Sequence, residues 1–241
     1  AKDARSILVQ LREGMRWSDG KPVTTEDVRF AWEDVLLNKD ITPVPPANFV
    51  VDDEPMGLEV LDATRFRLSF RKPYGSVLYA LIQSVHAAAL LMPKHYLRRY
   101  HPKYAPMDEI TATASDRGFD HWFELFRDVN HTVRLISAQT SPDYPTLGAW
   151  RVMETPVSGH VILELNPYYW KVDPEGNQLP YMDKIEMEIF LNSEMLNFRA
   201  IAGRLQMQLR HFNWEDKDLL QAFAQPRGYR LFSNGGTGLR A

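Results

Sequence analysis

The chain has 241 residues, 44% hydrophobic and 24% charged, the balance of an ordinary globular protein with length for one large domain or two small ones. A net charge of −3 offers no basic footprint for nucleic acid, and the absence of cysteine excludes disulfides and thiolate metal sites. No apolar run approaches the roughly 20 residues of a membrane-spanning helix.

Ser6 to Arg12 alternates apolar and polar residues and predicts a half-buried strand. Trp17-Ser18-Asp19-Gly20 predicts a tight turn, with Gly20 taking the positive-φ position. Thr24 followed by Asp27 is an acidic capping box, and Val28, Ala31, Trp32, Val35 and Leu36 follow at helical spacing. That predicts one amphipathic helix with Trp32 on its apolar face, and Trp17 as core. Pro43, Pro45 and Pro46 predict a loop over Ile41 to Glu54. Leu58 to Phe70 reads as a hairpin bending at Asp62-Ala63-Thr64. Helical segments are expected over Ser76–Gln83, Lys94–Tyr100 and Asp120–Arg127. A second hairpin joins Trp150–Glu154 to Val161–Leu165 through Pro156-Val157-Ser158-Gly159. Ile185–Leu191 alternates as a strand, and Glu194–Ile201 is helical with Gly203 as its stop. Leu205–Leu209, Glu215–Ala224 and Tyr229–Phe232 predict strand, helix and strand. Strands and helices mix without a regular βαβ rhythm, so the expected class is mixed α/β. The chain opens on Ala1, almost at a strand, and closes on Gly238-Leu239-Arg240-Ala241, which predicts a piece of a longer protein.

Catalytic patterns are missing. There is no Gly-x-Ser-x-Gly elbow, and Ser233-Asn234-Gly235-Gly236-Thr237-Gly238 lacks the lysine of a phosphate loop. The seven histidines include no His-x-x-x-His or His-Glu-x-x-His, so no metal ligands and no cofactor are expected. Asp52-Asp53-Glu54 lacks the spacing of a calcium loop and reads as solvated. Asn130-His131-Thr132 matches a glycosylation pattern that also arises by chance.

The order of motifs is more specific. The stretch from Leu11 to Leu36, LREGMRWSDGKPVTTEDVRFAWEDVL, resembles the opening motif of the family 5 extracellular solute-binding proteins, the oligopeptide-, dipeptide-, nickel- and oligosaccharide-binding components of ABC importers. Met92-Pro93-Lys94-His95, Leu163-Glu164-Leu165-Asn166-Pro167-Tyr168-Tyr169-Trp170 and Leu179-Pro180-Tyr181-Met182-Asp183 are similar to later motifs of that family, in the same order. Two segments depart from it: Thr146-Leu147-Gly148-Ala149-Trp150 stands for Gly-Thr-Gly-Pro-Tyr, and Ala202-Gly203-Arg204-Leu205-Gln206 for Ala-Gly-Glu-Ile-Asp.

The resemblance implies a lobe of the type II periplasmic-binding-protein kind with an extra subdomain. Residues 1–145 would form that subdomain, 146–228 the return to the main sheet of the first lobe, and 229–241 the start of the crossing into a second lobe. It further implies a non-catalytic protein outside the cytoplasm, periplasmic or anchored at the outer face of the membrane. Such a protein captures an oligopeptide or oligosaccharide between two lobes and delivers it to a membrane permease. Within that frame the candidate ligand contacts are Asn48 and Phe49 on the Pro-rich loop, His86, Trp214 beside the crossing, and Ser233, Asn234 and Thr237 at its start. Two other classes stay open: a hydrolase built on Asp108 and Glu109, and an interaction module that carries no solute.

Overall fold

A computed structural model describes residues 3–83, 89–132, 141–154, 159–208, 212–234 and 238–240. The fold class is mixed α/β. The chain forms two compact units, one of Ala1–Pro156 with Val161–Glu186 and one of Val157–His160 with Met187–Ala241.

In the first unit, β1 (Ser6–Gln10) pairs antiparallel with β5 (Arg65–Ser69), which pairs on its other side with β4 (Gly57–Val60). Phe66 and Leu68 alternate inward along β5 and hold the register, since a one-residue slip would turn both to solvent. The β4–β5 bend is a side-chain-built turn: the Asp62 carboxylate accepts from the amides of Thr64 and Arg65.

Thr24 caps α1 (Thr25–Arg29) with the reciprocal bonds expected, its hydroxyl on the first turn and the Asp27 carboxylate on its own amide. The helix does not continue in α geometry. Phe30–Leu36 is a π-helical segment, and the amide of Leu37 reaches back five residues to the carbonyl of Trp32. The wider coil buries six of its seven side chains, Phe30, Ala31, Trp32, Asp34, Val35 and Leu36, where a standard amphipathic stripe would bury about half.

The Pro-rich stretch is less irregular than expected. A 3-10 turn at Ala47–Phe49 leads into a hairpin of β2 (Val50–Val51) and β3 (Glu54–Pro55). Among the described residues four helices follow: α2 (Val77–Gln83), α3 (Lys94–Leu97, extended by a 3-10 turn to Tyr100), α4 (Met107–Asp116) and α5 (Trp122–Val129). Of these α4 is not anticipated, because its inner face is only Ile110 and Ala114, too thin a stripe to register as a period. β6 (Trp150–Val152) pairs antiparallel with β7 (His160–Leu165), and β8 (Lys184–Glu188) lies on the far side of β7. The hairpin residues Pro156 to Ser158 lie outside the described residues. The core of this unit centres on Trp32, Phe30, Phe49, Phe126, Leu68 and Leu97.

The second unit carries α6 (Ser193–Ile201), capped by Asn192 and stopped by Gly203 at φ +69°, and α7 (Lys217–Arg227), stopped by Gly228 at φ +76°. Among the described residues its core cluster is Leu196, Ala200, Phe212 and Leu220. Leu205 to Gln208 is irregular rather than a strand. The last expected strand is displaced along the chain, with β9 (Phe232–Asn234) pairing with β10 (Gly238–Arg240).

Candidate functional site

The motif residues of the first unit are engaged with one another. The Asp27 carboxylate is buried and accepts from three donors: the Thr24 amide at 3.0 Å, the Trp17 indole Nε1 at 3.2 Å and the Lys94 amide at 3.0 Å. Burial pushes its pKa up and the three N–H donors oppose that. The same junction carries Lys94 Nζ on Glu26 at 2.8 Å and His95 Nε2 on Asp19 at 2.8 Å. The Trp-Ser-Asp-Gly turn, the capped helix and the Pro-Lys-His segment therefore form one brace.

A second brace is built on Asn166, which is fully buried. Its side-chain amide donates to the carbonyls of Gly148 (2.9 Å) and Thr146 (3.4 Å), and its oxygen accepts from the Tyr168 amide (2.9 Å). Thr146 in turn exchanges hydrogen bonds with Ser18. Gly20, at φ +83°, lies under Tyr168, whose hydroxyl oxygen would be 3.0 Å from any added Cβ. The glycine thus serves both the turn and the approach of the Asn-Pro-Tyr-Tyr-Trp segment.

Beside this brace lies a cleft of about 280 Å³ lined by Arg12, Glu13, Arg16, Tyr168, Trp170 and Gln178. Aromatic faces among polar groups suit a sugar, but most of the polar side chains here are already committed. Gln178 Nε2 donates to the carbonyls of Pro167 and Tyr169, and Arg16 donates to Gly20. Arg12 and Lys171 both lie over the Trp170 ring, 5.5 and 5.1 Å from its centre.

The second unit holds a larger groove, about 790 Å³, with apolar walls from Leu205, Met207, Tyr229 and Phe232 and a rim that includes Gln206 and Arg230. Met207 and Phe232 are both exposed. Among the described residues the side chains of Gln206 and Arg230 enter no hydrogen bond or ion pair, so amide and guanidinium donors face solvent beside apolar walls. This arrangement can bind a neutral or anionic oligomer without covalent chemistry.

The expected contacts are not gathered in one place. Phe49, expected at a cleft rim, is 1% exposed and packs edge-on against Trp32 at 5.6 Å. The ring anchors the Pro-rich loop to the π-helical segment, and the neighbouring Asn48 is half-buried on the same 3-10 turn. His86 and Thr237 lie outside the described residues. Trp214 opens a 3-10 turn before α7, and Ser233 and Asn234 belong to β9, in the second unit. The groove residues Met207, Gln206 and Phe232 were missed. For Gln206 and Met207 the one signal in the sequence is a polar–apolar alternation over Leu205–Gln208, which reads equally well as a strand.

Among the described residues no group of three His, Asp or Glu is placed to hold a metal. Asp108 and Glu109 are exposed neighbours in the first turn of α4. Successive helix residues do not face each other, so the two carboxylates do not flank a common point. Asn130 of the glycosylation pattern is engaged: it donates to Met92 Sδ and accepts from Tyr144 and the Thr132 amide.

The family model for bacterial extracellular solute-binding proteins, family 5 Middle, matches residues 1–226. A periplasmic alpha-galactoside-binding protein of Rhizobium meliloti (strain 1021) is 29% identical over 204 residues, covering 84% of this chain and 26% of the relative. The periplasmic oligopeptide-binding protein OppA of Salmonella typhimurium (strain LT2) is 24% identical over 197 residues, 75% of this chain and 29% of its own. Among solved structures, an oligopeptide-binding protein OppA superposes with a TM-score of 0.81 at 35% identity over 96% of this chain and 35% of that one. The periplasmic binding protein MelB of Agrobacterium fabrum C58, in complex with stachyose, gives 0.69 at 23% identity over 93% and 30%. The chain therefore spans about a third or less of the length of these relatives.

Proposed function

Because this chain belongs to the family 5 bacterial extracellular solute-binding proteins, we propose that it is the middle segment of a substrate-binding component of an ABC importer, one that captures an oligopeptide or an oligosaccharide outside the cytoplasm and hands it to a membrane permease. The observation that carries this reading is the family match over residues 1–226, whose motifs fold into the two braces around Asp27 and Asn166. The side chains that look most chemical in the sequence, Asp27, Lys94, His95 and Asn166, are consumed in holding the scaffold. Recognition is then left to surfaces the scaffold positions, and the groove of Met207, Tyr229 and Phe232 is the candidate wall within this chain. Both ligand classes have support, one relative being named for alpha-galactosides and another for oligopeptides. An apolar and aromatic wall with amide and guanidinium donors serves either.

The test is mass spectrometry of solute carried through purification of the protein, followed by calorimetric titration with the solute found. Saturable binding of a short peptide or of a galactoside-containing oligosaccharide, unaltered on recovery, is expected. Chemical turnover of the bound oligomer that is lost in the Asp108→Asn, Glu109→Gln double variant would overturn the reading in favour of a hydrolase. Absence of any saturable binding across both classes would favour an interaction module.

A further inference from the structure

His101 is 4% exposed and follows the 3-10 turn at the end of α3. Four aromatic rings surround it, Phe30, Tyr104, Trp122 and Phe126, with centroids 5.5–6.0 Å away. Its two ring nitrogens have opposite duties. Nε2 lies 3.0 Å from the backbone carbonyl of Asp34, which can only accept, so Nε2 carries the proton. Nδ1 accepts from the Lys103 amide at 3.2 Å and must therefore be bare. The imidazole is neutral in one fixed tautomer, and it ties the turn His101–Ala105 to the π-helical segment.

The charged groups around it are few. Asp34, on the π-helical segment, holds Lys103 Nζ at 2.6 Å and the Tyr104 hydroxyl at 2.5 Å through its carboxylate. Lys94, from α3, lies over the Tyr104 ring and is paired with Glu26. The side packed against α5 presents only Trp122 and Phe126 to the ring. Among the described residues the one carboxylate acting on the imidazole, that of Asp34, is already committed to two donors.

We propose that His101 is an acid-released latch within its own turn: protonation at Nδ1 turns the acceptor for the Lys103 amide into a donor facing a donor, and the turn His101–Ala105 loosens at Lys103 while Nε2 keeps its bond to the Asp34 carbonyl. Burial lowers the imidazole's pKa, with the Asp34 carbonyl and carboxylate opposing in part. The sign follows. A histidine lowered in the folded state binds fewer protons there than in the open state, whose value is the ordinary one of about 6.5. The latch is fully closed above that pH and weakens as pH falls through it, by up to about tenfold in the opening equilibrium per pH unit until the folded value is reached.

Two measurements on the whole chain test this. Imidazole nitrogen shifts should report a neutral Nε2–H form at pH 7. On acidification His101 should titrate below 6.5 in step with the amide shift of Lys103. Hydrogen exchange of residues 101–105, corrected for intrinsic rates, should accelerate up to about tenfold per pH unit below 6.5 in the wild type and stay flat in His101→Gln. If that variant does not fold, the titration of the wild type decides alone. An imidazole that titrates without moving the Lys103 amide, or exchange as pH-dependent in His101→Gln as in the wild type, would overturn the proposal.

Discussion

Asp27 shows how a residue that belongs to a helix cap comes to serve a whole junction. Its carboxylate satisfies the Thr24 amide within the cap, but also the Trp17 indole and the Lys94 amide from elsewhere in the chain. Asp27→Ala would leave three donors without an acceptor, one of them the buried Trp17 indole and two on half-buried residues. An unsatisfied buried donor costs about 1–3 kcal/mol, so a loss of about 3 kcal/mol or more in unfolding free energy is expected, with Asp27→Asn losing less. Denaturant titration of the three proteins checks this. Asp62 makes a contrasting case at the surface. The Thr64 amide, with help from the Arg65 side chain and amide, holds its pKa down to about 2. A carboxylate lowered on folding stabilises above its unfolded pKa of about 3.9, and that contribution fades as pH falls through 2. The carboxyl carbon shift of Asp62 should therefore titrate near 2, and a midpoint near 3.9 would show that the turn bonds do not persist in solution.

At the scale of elements, the local chemistry of turns and caps was readable wherever the side chain itself closes the hydrogen bonds. The capping box at Thr24 and Asp27 and the Asp62 turn stand where residue type alone demands them, and the stop at Gly203 where only glycine takes a left-handed φ freely. The β2–β3 hairpin was hidden because its turn uses unfavourable residues. Asp52 and Asp53 both take left-handed φ, 61° and 60°, where Asn-Gly is the usual choice. The left-handed penalty for an ordinary residue is about 1–2 kcal/mol and smaller for aspartate. Asp53→Gly should relieve part of it, offset by glycine's freedom in the unfolded chain. Asp53 is the position to change, since Asp52 is paired with Lys72. A gain of about 0.5–1 kcal/mol is expected, a rise in Tm of about 2 °C by calorimetry. The π-helical turn was not legible either. A capped α-helix with a five-residue apolar stripe is the simpler reading of the same residues, and only the aromatic partners Phe49, His101, Tyr104 and Phe126 explain why the coil widens.

At the scale of the molecule, the two units differ in what holds them. The first has a continuous core with Trp32, Phe30, Phe49 and Phe126 under 2% exposed, tied by the two braces. The second has four core residues among those described and presents Met207, Phe198, Phe232 and Leu191 to solvent. Local stability follows buried apolar area, so amides of α6 and α7 should exchange faster than those of α1, the π-helical segment and α5. Hydrogen exchange resolved by peptide should show protection lost in residues 193–227 well before residues 25–36 and 122–129. Uniform protection across both would mean that the second unit is stabilised by something other than its own core.

The sequence by itself determined the family, the mixed α/β class and most element positions. These rest on local signals: alternation, helical spacing, caps, and short motifs in a fixed order. It also placed Trp17 in the core and Trp32 on the apolar face of a capped helix. What it did not determine was which polar residues would meet. That Asp27 receives the amide of Lys94, that Asn166 spans Thr146 and Gly148, and that Phe49 turns inward onto Trp32 are pairings across tens of residues. No local period encodes such pairings. They are decided when the chain closes and each buried donor must find an acceptor, because a buried group left unpaired costs more than most single contacts return.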